Sequence, residues 1–384
     1  MCFVRYKVIF LIMILILVNL AGAGEKPLKI YIMAGQSNMQ GKARTSTIER
    51  LKLTDDSKSL YDDLIDSDGK AAAPAGVYGV YFTNGDMKKG ASRPVIVQKG
   101  PLRPSYDQEP SPEYTFGPEY TFGVYMKKYL NEPILIIKTA WGGRDLLQQF
   151  RSPSAGKYKE EKDRHGNETG AYYKLMIKHV GDVLGDLGEY HPDYKKENGY
   201  EISGFVWFQG YNDLIGPYPS NDYSEYSRLM AAFIRDVRKD LKAPKMPFVI
   251  GVMGIGGPIK NTKDKQFLFR EAQAAPASMP EFQGNVVAVR TENYWDMELQ
   301  RIDNKLYEAA KAKVMDENTK LSKKALDKAV KKQMTSLAER ILNPVELKIR
   351  NTGRSNAAFH YMGSAYTYGS IGKAFAEAMY KLEQ

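Results

Sequence analysis

The chain has 384 residues, of which 43% are apolar and 26% charged, with 55 Lys+Arg against 45 Asp+Glu. This is the composition of an ordinary globular protein, which excludes a disordered or fibrous chain. The single cysteine, Cys2, excludes an intrachain disulfide and a thiolate metal cluster.

The first residues predict a signal peptide over 1–23. Arg5 and Lys7 precede an apolar run over 8–20, and Ala21-Gly22-Ala23 fits a small-x-small cleavage site. The run is short of the about 20 residues that a membrane span needs, although a retained signal anchor is the alternative. We therefore predict an exported bacterial protein, periplasmic or extracellular, with no membrane association once the signal is removed.

Five short apolar runs predict buried parallel strands, at 28–34, 134–139, 202–208, 248–253 and 286–290. Helical patterns alternate with them, at 119–130, 172–187, 223–241, 267–275 and 371–382. This alternation predicts an α/β fold with three helix–sheet–helix layers and a doubly wound, mostly parallel five-stranded sheet. Two stretches do not fit the plan, 44–116 and 301–342, and we predict both as insertions in a single domain over 24–384.

The stretch 301–342 carries much of the basic excess, with eleven Lys+Arg against six Asp+Glu. Its apolar residues recur at helical spacing from Leu326 to Ile341, so its lysines are expected on the solvated face of a helix. No aromatic residues are interleaved with them as a nucleic-acid surface requires. We predict no nucleic-acid partner, the alternative being a basic protein whose retention on DNA depends steeply on salt.

Three polar motifs follow the predicted strands, where open α/β sheets bind their ligands. Gly35-Gln36-Ser37-Asn38-Met39 offers a serine hydroxyl, which could face a crevice or cap a helix. Thr139-Ala140-Trp141-Gly142-Gly143 offers backbone N–H groups that can approach a ligand closely, or a plain turn. Gln209-Gly210-Tyr211-Asn212-Asp213 offers a side-chain amide that could donate to an oxyanion or form an Asx turn.

A candidate base comes late in the chain. A serine needs a base to act as a nucleophile at neutral pH, and histidine has the appropriate pKa. His360 lies in Phe359-His360-Tyr361-Met362-Gly363, just before the last predicted helix. The other histidines, His165, His179 and His191, are weaker candidates because they lie in a polar run, a helical pattern and a loop.

The order of these four motifs resembles that of the SGNH hydrolases. The first motif, Gly35-Gln36-Ser37-Asn38-Met39, resembles more narrowly that of the sialate O-acetylesterase and carbohydrate esterase family 6 group. The resemblance implies Ser37 as nucleophile and His360 as general base. It also implies an oxyanion hole built from the N–H of Ser37, an N–H of Gly142 or Gly143, and the side chain of Asn212.

What the resemblance implies for function is the removal of O-acetyl groups from a carbohydrate through an acetyl-serine, with no cofactor. The substrate-binding residues expected are Gln36, Gln209 and Trp141, although strand-end aromatic residues more often fill the core. No residue cluster has zinc-like or calcium-loop spacing, so no metal is predicted. The alternatives are a non-catalytic carbohydrate-binding relative and a lipid or aryl esterase of the same fold.

The sequence departs from the family pattern at one position. That pattern has an Asp three residues before the catalytic histidine, and here this residue is Ala357, with Asn356 one position earlier. Asp296, which follows the fifth predicted strand, could orient His360, or it could cap the next helix. We predict Asp296 as the third member of a triad, the alternative being a Ser–His dyad whose histidine is oriented by a backbone carbonyl.

Overall fold

The computed structural model describes residues 26–88, 90–104, 106, 111–317 and 321–384. The predicted signal peptide over 1–23 lies outside the described residues. A seven-stranded sheet with the order β7-β6-β5-β1-β4-β2-β3 forms the centre of the protein. Its strands in chain order are β1 (Leu28–Gly35), β2 (Val77–Asn84), β3 (Val95–Pro101), β4 (Ile134–Ala140), β5 (Tyr200–Phe208), β6 (Phe248–Val252) and β7 (Val286–Arg290).

The sheet confirms the predicted α/β class and contains all five predicted strands. It has seven strands, so the predicted number of five was too low. The two further strands, β2 and β3, both come from the stretch 44–116. The edge strand β3 pairs antiparallel with β2, whereas every other neighbouring pair is parallel. Edge strand β3 is half exposed and β2 contains Gly79, so neither shows the continuous buried apolar run by which the other strands were recognised.

Nine helices of at least nine residues surround the sheet within the described residues, together with two short helices that follow β1 and β5. In chain order they are α1 (Ser37–Gln40), α2 (Asp55–Leu64), α3 (Pro118–Leu130), α4 (Ala171–Gly185), α5 (Tyr211–Ile215), α6 (Ser224–Asp240), α7 (Lys265–Ala274), α8 (Met297–Glu317), α9 (Lys323–Ile341), α10 (Pro344–Thr352) and α11 (Ala365–Glu383). No helix in the described part of the chain is long and apolar enough to cross a membrane.

Two apolar cores bury the two faces of the sheet, which gives the predicted three layers. Tyr31 and Met33 of β1 belong to the core that α3, α11 and the helices α8 to α10 cover. Ile30 and Ile32 point to the opposite face, which α4, α6 and α7 cover. Side chains alternate between faces along a strand, so β1 has to be apolar at successive positions to bury both.

The stretch 301–342 forms most of a helical hairpin in which α8 and α9 pack against each other. Apolar residues on the inner faces of the two helices, such as Leu306, Ala310, Val330 and Leu337, are buried. Lysines of α9 lie on the exposed side, as the helical spacing predicted.

Candidate active site

The ends of three central strands meet at one edge of the sheet. Gly35 lies opposite Ala140 of β4 and Phe208 of β5. The N–H of Trp141 donates to the carbonyl of Gly35 over 3.1 Å, and the N–H of Gln36 donates to that of Phe208 over 3.4 Å. A Cβ at Gly35 would lie 2.1 Å from the oxygen of Phe208, so only glycine permits this approach. The three strand-end motifs are therefore held together.

Ser37 opens the short helix α1 directly after this junction and is half-buried. Its neighbour Asn38 is buried and joins α1 to the distant turn Ala358–Gly363, which carries His360. Asn38 Nδ2 donates to the carbonyl of Phe359 over 3.3 Å, a bond between residues 321 positions apart. Asn38 Oδ1 accepts from the hydroxyl of Tyr368 over 2.9 Å. The fold thus brings the serine helix and the histidine turn into contact.

The imidazole of His360 is held by an amide. Nδ1 lies 3.0 Å from Oδ1 of Asn356, which also accepts from the N–H of Ala357 over 2.8 Å. Since this amide oxygen is an acceptor, the contact favours the tautomer with the proton on Nδ1. Burial and the nearby ammonium of Lys42 lower the pKa of His360 to about 4. The ring is therefore neutral at neutral pH, with Nε2 as its basic nitrogen.

The turn that carries His360 has a tight backbone. Tyr361 and Met362 have φ values of 48° and 58°, and Gly363 follows at 59°. A Cβ at Gly363 would lie 2.7 Å from Cβ of Asn356, so this glycine allows Asn356 to approach. Tyr361 attaches the turn to the segments that follow β6 and β7. Its hydroxyl accepts from the N–H of Gly254 over 2.7 Å and hydrogen-bonds Thr291 over 2.7 Å.

Asp296 does not take the predicted place beside His360. Its carboxylate forms a two-fold ion pair with Arg50, at 3.0 and 3.1 Å, and both side chains are only 1% exposed. Its Oδ1 also accepts from the N–H of Leu299 over 2.9 Å, at the start of α8. The prediction of Asp296 as a triad member was wrong, because both oxygens are committed to a structural ion pair and a helix terminus.

The predicted oxyanion donors surround the serine. A Cβ built on Gly142 would lie 3.6 Å from Cβ of Ser37, and one built on Gly143 would lie 4.0 Å from Nδ2 of Asn212. Asn212 Oδ1 accepts from Nε2 of Gln36 over 3.2 Å, which orients the amide and leaves Nδ2 as the group available for a substrate. Ser37, the two glycines and Asn212 therefore lie at one point of the sheet edge.

Gln36 and Gln209, which were predicted to bind substrate, are instead buried inside the protein, where they support the site. They are 2% and 3% exposed. Oε1 of Gln36 accepts from Nε2 of Gln209 over 3.2 Å, and from the N–H groups of Gly210 and Asn212 over 3.1 and 3.3 Å. Gln209 Nε2 also donates to Asp213. The polar groups of the two glutamines are thus engaged in hydrogen bonds within the protein, and these bonds position Asn212.

Trp141 also does not fit its predicted contact with substrate. It is 1% exposed, its Nε1 donates to the carbonyl of Asn84 over 2.8 Å, and its ring packs on Phe150 and Tyr172. It fills the layer between sheet and helices, which was the alternative for a strand-end aromatic residue.

Sequence reasoning missed a buried ion pair beneath α1. Lys138 of β4 donates to Glu119 over 2.6 Å and to the carbonyl of Gln40, at the end of α1, over 3.1 Å. Both charged side chains are almost fully buried. The lysine at the centre of an otherwise apolar strand was the signal that could have revealed it. Removing either partner would leave an uncompensated charge below the serine helix.

Within the described ranges, no group of three or more His, Cys, Asp or Glu could hold a metal ion. The groups that meet at this edge of the sheet are a serine hydroxyl, a neutral imidazole and nitrogen donors, which together can carry out acyl transfer.

A family model described as "Carbohydrate esterase, sialic acid-specific acetylesterase" matches residues 27–314, which is 288 of the 384 residues. The match defines the class of protein: it is a carboxylic ester hydrolase of the carbohydrate acetylesterase type. More particularly, the chain belongs to the sialic acid-specific acetylesterase family of carbohydrate esterases. Ser37, Gly142, Gly143 and Asn212 lie within the matched residues, whereas His360 lies beyond them.

Similar solved structures include a protein from Arabidopsis thaliana, at 18% identity over 82% of this chain and 98% of that chain, with a TM-score of 0.40. A carbohydrate acetylesterase from Xanthomonas citri is 17% identical over 68% of this chain and 49% of that chain, with a TM-score of 0.43. NanS is 15% identical over 69% of this chain and 78% of that chain, with a TM-score of 0.38. No curated protein matches the chain.

Proposed function

We propose that this esterase removes O-acetyl groups from a carbohydrate by double displacement through an acetyl group on Ser37. The observation that carries the proposal is the convergence of α1, the His360 turn and the donors around Asn212 at one sheet edge. A nucleophile, its base and an oxyanion site have to be within reach of one carbonyl carbon for acyl transfer.

In the first half-reaction, Ser37 Oγ attacks the acetyl carbonyl carbon while Nε2 of His360 takes the hydroxyl proton. The carbonyl oxygen becomes an oxyanion that accepts from the Ser37 N–H, an N–H of Gly142 or Gly143, and Asn212 Nδ2. When the tetrahedral intermediate collapses, the bond to the sugar oxygen breaks and His360 returns the proton to that oxygen. The sugar leaves as an alcohol.

In the second half-reaction, His360 Nε2 takes a proton from water, whose oxygen attacks the acetyl-serine carbonyl. The same donors hold the oxyanion. Collapse then breaks the bond to Ser37 Oγ, which regains its proton from His360, and acetate leaves. The Nδ1 contact with Asn356 would keep Nε2 as the basic nitrogen throughout.

The test uses Ser37→Ala, His360→Ala and the double variant, with Ser336→Ala on the exposed face of α9 as a matched control. We expect each single variant to lose several orders of magnitude of acetate release, and the double variant to be barely worse, because residues that act as one unit are non-additive. Rapid quenching with an aryl acetate should reveal acetyl-Ser37 by mass spectrometry. Additive losses, or labelling by a fluorophosphonate at no serine, would contradict the proposal and favour a binding protein.

We also propose that the chain is exported and that cleavage follows Ala23. The support is the sequence of Arg5 and Lys7, the apolar run over 8–20 and the small residues before the cleavage point. N-terminal sequencing of the protein recovered from the periplasm or medium of a bacterial host should begin at Gly24. Recovery only from the cytoplasm with the first 23 residues intact would contradict export.

A further inference from the structure

A cavity of about 480 Å³ opens beside the predicted oxyanion donor Asn212. One wall is formed by the segment from Asp145 to Gln149 and by Tyr158, and the other by the segment from Asn212 to Tyr218. Its volume lies within the range of about 300–1,000 Å³ that small-molecule sites occupy. A sugar whose acetyl group lies at Ser37 would have this space beside it.

Asp145 offers an acceptor to this cavity. Its Oδ1 accepts from the N–H groups of Gln148 and Gln149, over 2.7 and 3.1 Å, so the carboxylate is held rigidly. Among the described residues, Oδ2 of Asp145 accepts no hydrogen bond and the carboxylate has no salt-bridge partner. Two tyrosine rings, those of Tyr158 and Tyr218, supply flat apolar surface nearby. A fixed acceptor beside aromatic rings suits a sugar, which carries hydroxyls on an apolar ring.

Apart from two tyrosines, the ionisable side chains that line the cavity are three aspartates and one arginine. Burial acts to raise the pKa of Asp163, but hydrogen bonds from Gln149 and Asn167 hold it below the ordinary value, so Asp163 is ionised. Burial raises the pKa of Asp145, and burial together with Asp145 raises that of Asp213 to about 7. Two cations act against these aspartates: Arg164, which lines the cavity, is exposed and donates to Nε2 of His165 over 3.2 Å, and Arg144, whose charge acts to lower the pKa of Asp145.

We infer that this cavity is the subsite for the acetylated sugar and that it selects an uncharged sugar, whose hydroxyl donates to Oδ2 of Asp145. The inference rests on the proposed function. A sialic acid carries a carboxylate, and a second anion among these aspartates would be repelled where water is partly excluded. Uncharged hydroxyls can pair with Asp145 in either protonation state.

The experiment compares three acetyl esters with the full chain: 4-nitrophenyl acetate, an O-acetylated methyl glucoside and O-acetylated N-acetylneuraminic acid. We expect kcat/KM for the uncharged glycoside to exceed that for the anionic sugar by at least about tenfold. Asp145→Asn should raise KM for the glycoside by about tenfold, the scale of a hydrogen bond to a charged group. The same variant should leave 4-nitrophenyl acetate within about twofold and should not weaken hydrolysis of the anionic sugar.

Arg164→Gln is the matched control, since it removes charge from the same cavity with the opposite sign, and we expect it to change KM for the glycoside by less than about twofold. A preference for the anionic sugar that Arg164→Gln abolishes would overturn the inference and leave the esterase function intact. Unchanged KM values in Asp145→Asn would also overturn it. If Asp145→Asn does not fold, Tyr158→Leu should show the same split between glycoside and aryl acetate. Failure of the folded wild type on all three esters would instead contradict the proposed function.

Discussion

The surroundings of His360 keep its imidazole neutral at neutral pH. Burial and the cation of Lys42 lower its pKa, and the partner on Nδ1 is an amide with no charge to stabilise an imidazolium. A general base acts only when it is unprotonated, so a lowered pKa extends activity toward acid. In the usual arrangement a carboxylate in this place would stabilise the imidazolium and raise the pKa.

We therefore expect kcat/KM for 4-nitrophenyl acetate to stay level from neutral pH down to about pH 5 and to fall as pH drops through about 4. Asn356→Asp should move this acid limb to higher pH, because an anion beside Nδ1 favours the protonated ring. Asn356→Ala should lower kcat by up to about tenfold, the scale of one neutral hydrogen bond, without moving the limb upward. An acid limb near pH 6.5 in the wild type would contradict this account of His360.

The ion pair between Arg50 and Asp296 connects two parts of the chain that sequence reasoning treated separately. Arg50 lies in the 3-10 segment Thr45–Leu53, and Asp296 lies at the start of α8. Sequence alone could not pair them, because the two residues are 246 positions apart and meet only in the folded chain. Asn356, in contrast, lies four residues before His360, and that short spacing was visible in the sequence.

Asp296→Asn should therefore act on stability. Breaking a buried ion pair by removing one charge typically costs about 3–5 kcal/mol, since the partner stays buried and uncompensated. We expect a large drop in the urea midpoint, whereas kcat per folded molecule should remain within about threefold of wild type. A folded Asp296→Asn variant that loses two or more orders of magnitude in kcat would restore Asp296 to a catalytic role.

At the scale of elements, the hairpin of α8 and α9 separates into a base and a tip. Leu299, Ile302 and Leu306 near the base pack in the core shared with α11, and Glu346 of α10 pairs with Arg301 and Lys305. Beyond them, buried residues such as Ala310, Val314 and Val330 serve the contact between the two helices. The predicted site residues lie outside the whole hairpin.

Replacing residues 309–331 with a short Gly/Ser turn should therefore leave kcat/KM for 4-nitrophenyl acetate within about threefold. The base of the hairpin keeps its core contacts, while both sides of the removed contact disappear together. Circular dichroism and a thermal melt establish that the shortened chain folds. Loss of aryl acetate hydrolysis in a folded variant would show that the tip contributes to the site.

For the whole molecule, the sequence was sufficient for the class of fold and the order of the chemical motifs, because buried parallel strands and strand-end glycines leave strong local patterns. The sequence was not sufficient to predict the edge strand β3, which is half exposed and lacks a continuous apolar run. The sequence also did not reveal that Gln36, Gln209 and Trp141 are buried, since burial of a strand-end side chain depends on the neighbouring strands. Such neighbours are set by the packing of the complete chain.

The C-terminal helix α11 packs on α3, and this packing depends on a close approach of the two helices at Gly372. A Cβ there would lie 2.0 Å from Oγ1 of Thr121 and 2.2 Å from the carbonyl oxygen of Pro118. Gly372→Ala should destabilise the protein by about 1–3 kcal/mol, as overpacking does. Gly181→Ala in α4 is the control: its Cβ would meet nothing within 4 Å, and we expect a gain of up to about 1 kcal/mol. Equal effects of the two changes on the urea midpoint would contradict the tight packing.

The bond between Asn38 and the turn at Phe359 has a consequence for the order in which the enzyme is made. The N-terminal part of a chain leaves the ribosome first, so Ser37 and most of the sheet emerge long before His360. With these residues in the roles we propose, a growing chain contains the nucleophile Ser37 but not yet the base His360, so it cannot hydrolyse an ester. Hydrolytic activity then begins only after the turn at Phe359 and the start of α11 have docked on Asn38.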